Sequence, residues 1–531
     1  MDRLPQTLLE DIISIVADDA STISRSARKK AVAPYAIVSF NFRRAVERIT
    51  FGSLEINLSD VIKASIILNR HARWLYVKNI ILNVLLPRYE GEPTIRLENP
   101  REMERNSNVF TQNILALFDL LSQWPGKDLS APNRPALISL AVHVSSRTDT
   151  YLKAYGDILF HEERSATAND AQVWRYHRSV LQLDDSVTLP SLQHVPISKL
   201  TFPTISYRRQ ISAISLARIT SVLNLNNVKF LSWQFGDVEK KDMDLRIARR
   251  QELANAIDAL PKLEWFELNI EYYPPHNHDF DPPSLYETDP VSCALRRLGK
   301  RTKSLCIYGA LASTELFWPI HGSNPTPEPD WGSLERLSLS FHPITPNGKW
   351  WFKNDEDSKI RDIELIVTSP EPDEIRAEED DEWNLWRHAP IQRCMDEFYM
   401  AVGRAVAKMP KLVFMHLESA AHLIEPANRK FHIHHFVFDV WQNRRAIAFW
   451  YSMPGYEPSD AVMKVWERSA YERALELHIL VKSEPVPDEE DDDETSEDGD
   501  TDGSDGSDDD GTGGSDDDGT GGSDDDGTVD V

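Results

Sequence analysis

The chain has 531 residues, 41% of them hydrophobic, enough to bury a core larger than one compact domain usually holds. The formal net charge is −27; the 23 Asp and Glu of residues 484–531 account for −23 of it, with no Lys or Arg among them, so the remainder stands at −4. That near balance argues against a dedicated nucleic-acid binder, which concentrates surplus Lys and Arg on one face to neutralise phosphates. Only Cys293, Cys306 and Cys394 occur, with no CxxC, so neither a disulfide framework nor a thiolate zinc site is indicated. An intracellular setting, cytoplasm or nucleus, is expected. No window approaches 18 consecutive apolar residues, so no membrane helix is expected, and Glu10 and Asp11 interrupt the apolar start a secretory signal would need.

Leu4-Pro5 opens a segment whose apolar residues fall at Leu8, Leu9, Ile12, Ile13 and Val16, the spacing of a helix with one buried face. A basic stretch, Arg25 to Lys30 (RSARKK), follows; it reads as a solvated loop between helices in preference to a nuclear-import signal. Helical spacing resumes at Ile37, Val38, Phe42, Val46 and Ile49, a second helix running into a strand by Ile56. The opening Leu-Pro, the apolar helix and a Val-Ser-x-x-Phe-Arg element (Val38, Ser39, Phe42, Arg43) resemble the F-box, with Gln6-Thr7 where an acidic residue usually follows Leu-Pro. In that family these residues dock on the small adaptor subunit of cullin-RING ubiquitin ligases. The resemblance therefore implies an adaptor-binding set of Leu4, Pro5, Leu8, Leu9, Ile12, Ile13, Val38 and Phe42. Physically, a motif of about 45 residues carries more apolar helix surface than it can bury alone, and a partner covers the rest. The alternative is that these helices cap the first strand of the body.

The body carries a loose L-x-x-L-x-L series: Phe51-Leu54-Ile56, Val77-Ile80-Leu82, Leu137-Leu140-Val142, Ile197-Leu200-Phe202, Val228-Leu231-Trp233, Leu263-Phe266-Leu268, Leu305-Ile307, Leu334-Leu337-Leu339, Ile360-Ile363-Leu365 and Leu412-Met415-Leu417. Their spacing is that of leucine-rich solenoids. Two 15-residue segments, Asn255 to Asn269 (NAIDALPKLEWFELN) and Arg404 to Glu418 (RAVAKMPKLVFMHLE), share an order of helix, Pro-Lys-Leu and strand, because Pro261 and Pro410 end helices that cannot continue. Stacked units of this kind form a parallel sheet with motif leucines inward. The intervening residues then line a concave face that suits a protein target: Trp265, Glu267, Asn269; Arg336, Ser338, Ser340; Phe414, His416, Glu418. A register slip of one residue would instead bury Trp265 and Phe414. The Asn that closes each turn of standard leucine-rich repeats is replaced by Glu271, His342 and Ala420, so the repeats are irregular, with loop insertions at Tyr272–Asp289 and Ser369–Asn384. From Leu4 to about Val481 the chain also resembles a group of filamentous-fungal F-box-like proteins with a long C-terminal region of unknown function, through VSFNFRRAVERITFGSLEINLSD, RHARWLYVKNIILNVLLPRYE, ILALFDLLSQWP and FWYSMPGYEPSDAVMKVWERSA.

The expected fold is thus α/β: F-box-like helices over residues 1–58, an irregular leucine-rich-repeat-like solenoid with a parallel sheet over 59–483, and a disordered acidic Gly/Ser/Asp tail over 484–531. The tail repeats the octad GTGGSDDD at 511–518 and 519–526, and Ser507, Ser515 and Ser523, each followed by three Asp, are phosphorylation candidates. FHIHHF (431–436) and His276-x-His278-Asp279 offer too few convergent ligands for a metal, so no metal and no cofactor are expected. Nucleophile-elbow, zincin, P-loop and dinucleotide motifs are missing, so no enzyme activity is expected. The leading expectation is a substrate-receptor subunit of a cullin-RING ubiquitin ligase that binds a protein target on its repeat body. The alternative is a non-ligase interaction scaffold whose acidic tail binds basic proteins.

Overall fold

A computed structural model of the chain describes residues 4–19, 25–88, 97–124, 137–146, 178–202, 209–272, 274–275, 277–284, 286–319, 331–354, 387–421, 432–452 and 455–482. The chain divides into two units, Met1–Glu484 and Pro485–Val531, and every described residue belongs to the first. The acidic tail with Ser507, Ser515 and Ser523, the Ser369–Asn384 insertion and the Ile360–Leu365 apolar cluster lie outside the described residues.

Three helices open the chain: α1 (Gln6–Asp19), α2 (Arg25–Val32) and, after a 3-10 turn at Ala33–Ile37, α3 (Phe40–Gly52). Leu9, Ile13, Ala17, Val32, Phe42, Ala45 and Val46 enclose a small core of their own. Two expectations are corrected here. The RSARKK stretch is not a loop but helix α2; Lys29 and Lys30 sit in its last turn, where the helix dipole favours cations. Lys29 Nζ also donates to the Ser53 carbonyl at 2.7 Å. Ile37 and Val38 are not on the buried face of the second helix, because Ser39 adopts an extended conformation and caps α3, accepting from the Phe42 N–H at 3.3 Å. The break leaves Ile37 and Val38 in the preceding turn, 87% and 52% exposed.

The body continues with β1 (Ser53–Ile56), α4 (Leu58–Asn69), β2 (Asn79–Leu86), α5 (Pro100–Ser122), β3 (Ile138–Ser146), β4 (Val180–Leu181), β5 (Ile197–Thr201), β6 (Gln210–Ile211), α6 (Ala213–Ser221), β7 (Phe230–Gly236), α7 (Met243–Asp258), β8 (Leu263–Glu271), α8 (Pro290–Gly299) and β9 (Thr302–Ala310). It ends with β10 (Arg336–Phe341), β11 (Phe352–Asn354), β12 (Arg387–Pro390), α9 (Gln392–Ala407), β13 (Phe414–Ala421), β14 (His432–Val440), β15 (Arg445–Ser452), α10 (Asp460–Glu472) and β16 (Glu476–Lys482). Twelve strands form one sheet in the order β1-β2-β3-β5-β7-β8-β9-β10-β13-β14-β15-β16, which is the order of the chain. Pairing is parallel from β1 to β13, antiparallel through β14 to β15, and parallel again to β16. Strands β4 with β6 and β11 with β12 make separate two-stranded pairs.

Nine of the ten apolar clusters coincide with sheet strands, and their register is shared. One level runs Ile80, Leu140, Leu200, Leu231, Phe266, Leu305, Leu337, Met415, Phe438 across nine neighbouring strands, each residue at most 1% exposed. Those side chains and the apolar faces of α4 to α10 form one continuous core. The two 15-residue segments are equivalent in space: α7 leads to β8 and α9 to β13, with Phe266 and Met415 at the same level. Beneath the helices an ion network replaces apolar contact. Arg246 and Arg250 on α7 both meet Asp237, at 2.8 and 2.5 Å, and Arg250 also meets Asp289 at 2.7 Å, which in turn caps α8 through the Ser292 N–H. All four are buried, so each charge has its partner where water cannot supply one.

Candidate functional site

One face of the sheet is sealed by helices, and the alternation of its strands leaves the other half-open. In the central strands that open face carries three levels. The first runs Lys199, Phe230, Trp265, Ser304, Arg336 and Phe414 to Asp439. The second runs Thr201, Ser232, Glu267, Cys306, Ser338 and His416 to Val437, and the third joins Asn269 to Tyr308 and Ser340 through Glu418 to His435. Every concave-face residue named from the sequence therefore lies on this side, and Trp265, 38% exposed, is not core. A slip of one residue would have sent Phe266, Leu268 and Ile270, all buried, into solvent.

Local geometry fixes several of these groups. Trp265 tilts against Phe230 at 5.6 Å, and the Lys199 ammonium sits 4.5 Å over the Phe230 ring. Ser232 Oγ donates to Glu267 Oε1 at 2.9 Å. His416 and His435 meet edge to face at 4.6 Å, and His416 Nε2 lies 3.8 Å from Glu418 Oε2. Partial burial lowers the pKa of both imidazoles; Glu418 opposes this at each, while His416 adds to the lowering at His435. The Cys306 thiol is pushed up by burial and by neighbouring Glu267, against hydrogen bonds from Tyr308, Ser304 and Trp265, so it stays protonated at neutral pH.

The open face thus combines aromatic rings, charges of both signs and a protonated thiol. Among the described residues no group of three or more His, Cys, Asp or Glu is placed to hold a metal ion. Of the two histidine motifs, His278 is buried, its Nδ1 accepting from the Arg387 N–H at 2.8 Å, and His434 is buried with its Nε2 2.7 Å from Tyr399 Oη. His276 and the His432 side chain lie outside the described residues. Tyr308, 40% exposed, and His435 belong to the open face, although the sequence offered His435 only as part of a histidine motif and did not mark Tyr308. Their signal was present: reading Leu305 and Ile307 inward already turns Cys306 and Tyr308 outward.

A second surface lies on the opening helices. Leu4, Leu8 and Ile12 are 36%, 46% and 39% exposed, Pro5 is exposed beside them, and Val38 and Phe40 stand out at 52% and 70%. Leu9, Ile13 and Phe42, expected in the same adaptor-binding set, are 0%, 1% and 6% exposed. They serve the core of the three helices, one helical position away from the outward stripe. Arg48 on α3 meets Glu10 on α1 at 2.5 Å and fixes the two helices together.

Comparison with known proteins finds no match to this chain among protein-family models, curated proteins or solved structures. No helix among the described residues is long and apolar enough to cross a membrane.

Proposed function

We propose that this chain is a non-enzymatic recognition protein, the substrate receptor of a cullin-RING ubiquitin ligase, built as a short F-box-like helical unit followed by an irregular solenoid of leucine-rich-repeat type. The observation that carries the reading is the agreement of strand order with chain order across twelve strands, with helices on one face and the other left open. Each supersecondary unit then covers its neighbour, and the uncovered face becomes an extended surface for a partner. On this reading Trp265, Tyr308 and Phe414 anchor a protein target, with Glu267, Arg336, His416 and Glu418 setting its polarity. The outward stripe of Leu4, Leu8, Ile12 and Val38 is the surface an adaptor subunit would cover, a helix-in-groove contact. Bond-forming chemistry would sit on other subunits of the assembly.

A pull-down of the full chain with the small adaptor subunit of cullin-RING ligases tests the docking half. Wild type is expected to retain the adaptor, and Leu8→Asp/Ile12→Asp to release it with an unchanged melting temperature, since both residues are exposed. A folded wild-type chain that recovers no adaptor sinks the ligase assignment and leaves the open face as that of an interaction scaffold.

A further inference from the structure

Along the edge of the sheet where β10, β13, β15 and β16 begin, a cavity of about 480 Å³ opens among Glu335, Lys411, Val413, Arg444, Arg473 and Leu475. Three cations line it against one carboxylate. Arg473 caps the C-terminal end of α10, with its guanidinium 5.5 Å over the Phe438 ring and Nη2 donating to the Leu412 carbonyl at 2.5 Å. Its Nε and Nη1 are buried and have no hydrogen-bond partner among the described residues. Burial lowers its pKa to about 10, and no carboxylate among the described residues opposes that push. The contrast inside the same molecule is direct: the buried guanidiniums of Arg246 and Arg250 each face an aspartate within 3 Å. A desolvated guanidinium with unused donors is unfavourable until an anion reaches it.

The helix dipole favours one cation at the end of α10. It does not explain why Lys411, from the α9–β13 connection, and Arg444, from the turn between β14 and β15, converge on the same cavity. Lys411 and Arg444 are both exposed. Three positive groups against Glu335 leave a net charge that suits a dianion better than a single carboxylate. The volume falls within the range of small-ligand sites and exceeds what a bare ion fills.

We propose that this cavity binds a phosphate-class oxyanion, either free or carried on the side chain of a bound protein, with Arg473, Arg444 and Lys411 as its cationic wall. The inference stands apart from the receptor reading, because the cavity lies at the edge of the sheet and uses none of the open-face residues.

Calorimetric titration of the full chain with inorganic phosphate at constant ionic strength, with chloride as the balancing ion, tests it. Saturable binding is expected, weakened about tenfold or more in Lys411→Ser/Arg444→Ser, whose exposed side chains leave the fold intact as checked by thermal melting. Arg473→Lys, which keeps the charge but shortens the reach of its donors, is expected to weaken binding as well. A phosphoserine peptide and its unphosphorylated counterpart then separate the two sources: tighter binding of the phosphopeptide than of free phosphate assigns a carried group, and equal binding assigns the free ion. Phosphate binding by the double variant equal to wild type, or a response that never saturates, overturns the proposal.

Discussion

At the scale of single residues, His434 is the clearest case of a group whose chemistry is set by its surroundings. It sits on β14 among Tyr399, Tyr456 and Phe352, with ring centroids at 5.7, 5.6 and 6.4 Å. Tyr456 directs its hydroxyl away to Asp396 Oδ1 at 2.7 Å, and Tyr399 Oη is the hydrogen-bond partner of His434 Nε2. Burial, with a smaller contribution from His435, holds the pKa of His434 down at about 3. The folded state therefore keeps this imidazole neutral where an unfolded chain would protonate it, below about pH 6.5. Stability should be unaffected by His434 above that pH and fall as the pH drops below it, by about 1.4 kcal/mol per unit and about 2 kcal/mol by pH 5. Urea denaturation between pH 4.5 and 7.5 reads this slope; His434→Gln should flatten it, and an equal slope in the variant would place the acid sensitivity elsewhere. FHIHHF was legible as an alternating strand, but alternation says nothing about what packs against it. Tyr399 arrives from α9, 35 residues earlier.

At the scale of elements, the bulge between β9 and β10 shows how a strand is adjusted to its neighbours. Register shifts there between Leu339 and Phe341, and Gly309 on β9 takes φ +68°, a conformation other residues adopt at a cost. A Cβ at Gly309 would also stand 2.2 Å from the Ile270 carbonyl oxygen on β8, backbone that cannot give way without moving the strand. Gly309→Ala should therefore lose about 2–4 kcal/mol in denaturant unfolding. Gly52→Ala is the matched control, since its Cβ would meet only the Tyr76 carbonyl oxygen at 3.9 Å; it should stay within about 0.5 kcal/mol. If the two variants behave alike, the bulge is more adaptable than its geometry implies. The opening helices teach a related lesson. Periodicity correctly placed apolar residues on α1 but could not divide them between inside and outside, because Leu8 and Leu9 differ only by the rotation between adjacent helical positions. Leu9 is interior because it shares a core with Val32 of α2 and Phe42, Ala45 and Val46 of α3, residues of other helices.

At the scale of the whole molecule, each sheet strand packs mainly on the strands beside it, so local damage should stay local. The C-terminal end offers the test. Trp466 on α10 is 1% exposed and holds Phe436, Phe438 and Trp450 at 4.9, 5.5 and 5.7 Å, closing the antiparallel strands against the helix. Trp466→Ala should remove about 3–5 kcal/mol from that region. Native-state hydrogen exchange is expected to show β14 and β15 losing protection while β2 and β3 keep theirs. Uniform loss along the sheet would show instead that the unit unfolds as one.

The sequence by itself located nine of the twelve strands of the main sheet through their alternating large apolar side chains, and it named Trp265, Arg336, Phe414 and His416 for the opposite face while a slip of one residue stayed open. It also determined where the charge lies. Only the tertiary structure decided three things: that β14 and β15 turn antiparallel behind β13, that Arg246 and Arg250 find buried aspartates, and that Lys411, Arg444 and Arg473 meet at one cavity. These depend on residues brought together from different connections, whose distances along the chain carry no trace of their distances in space.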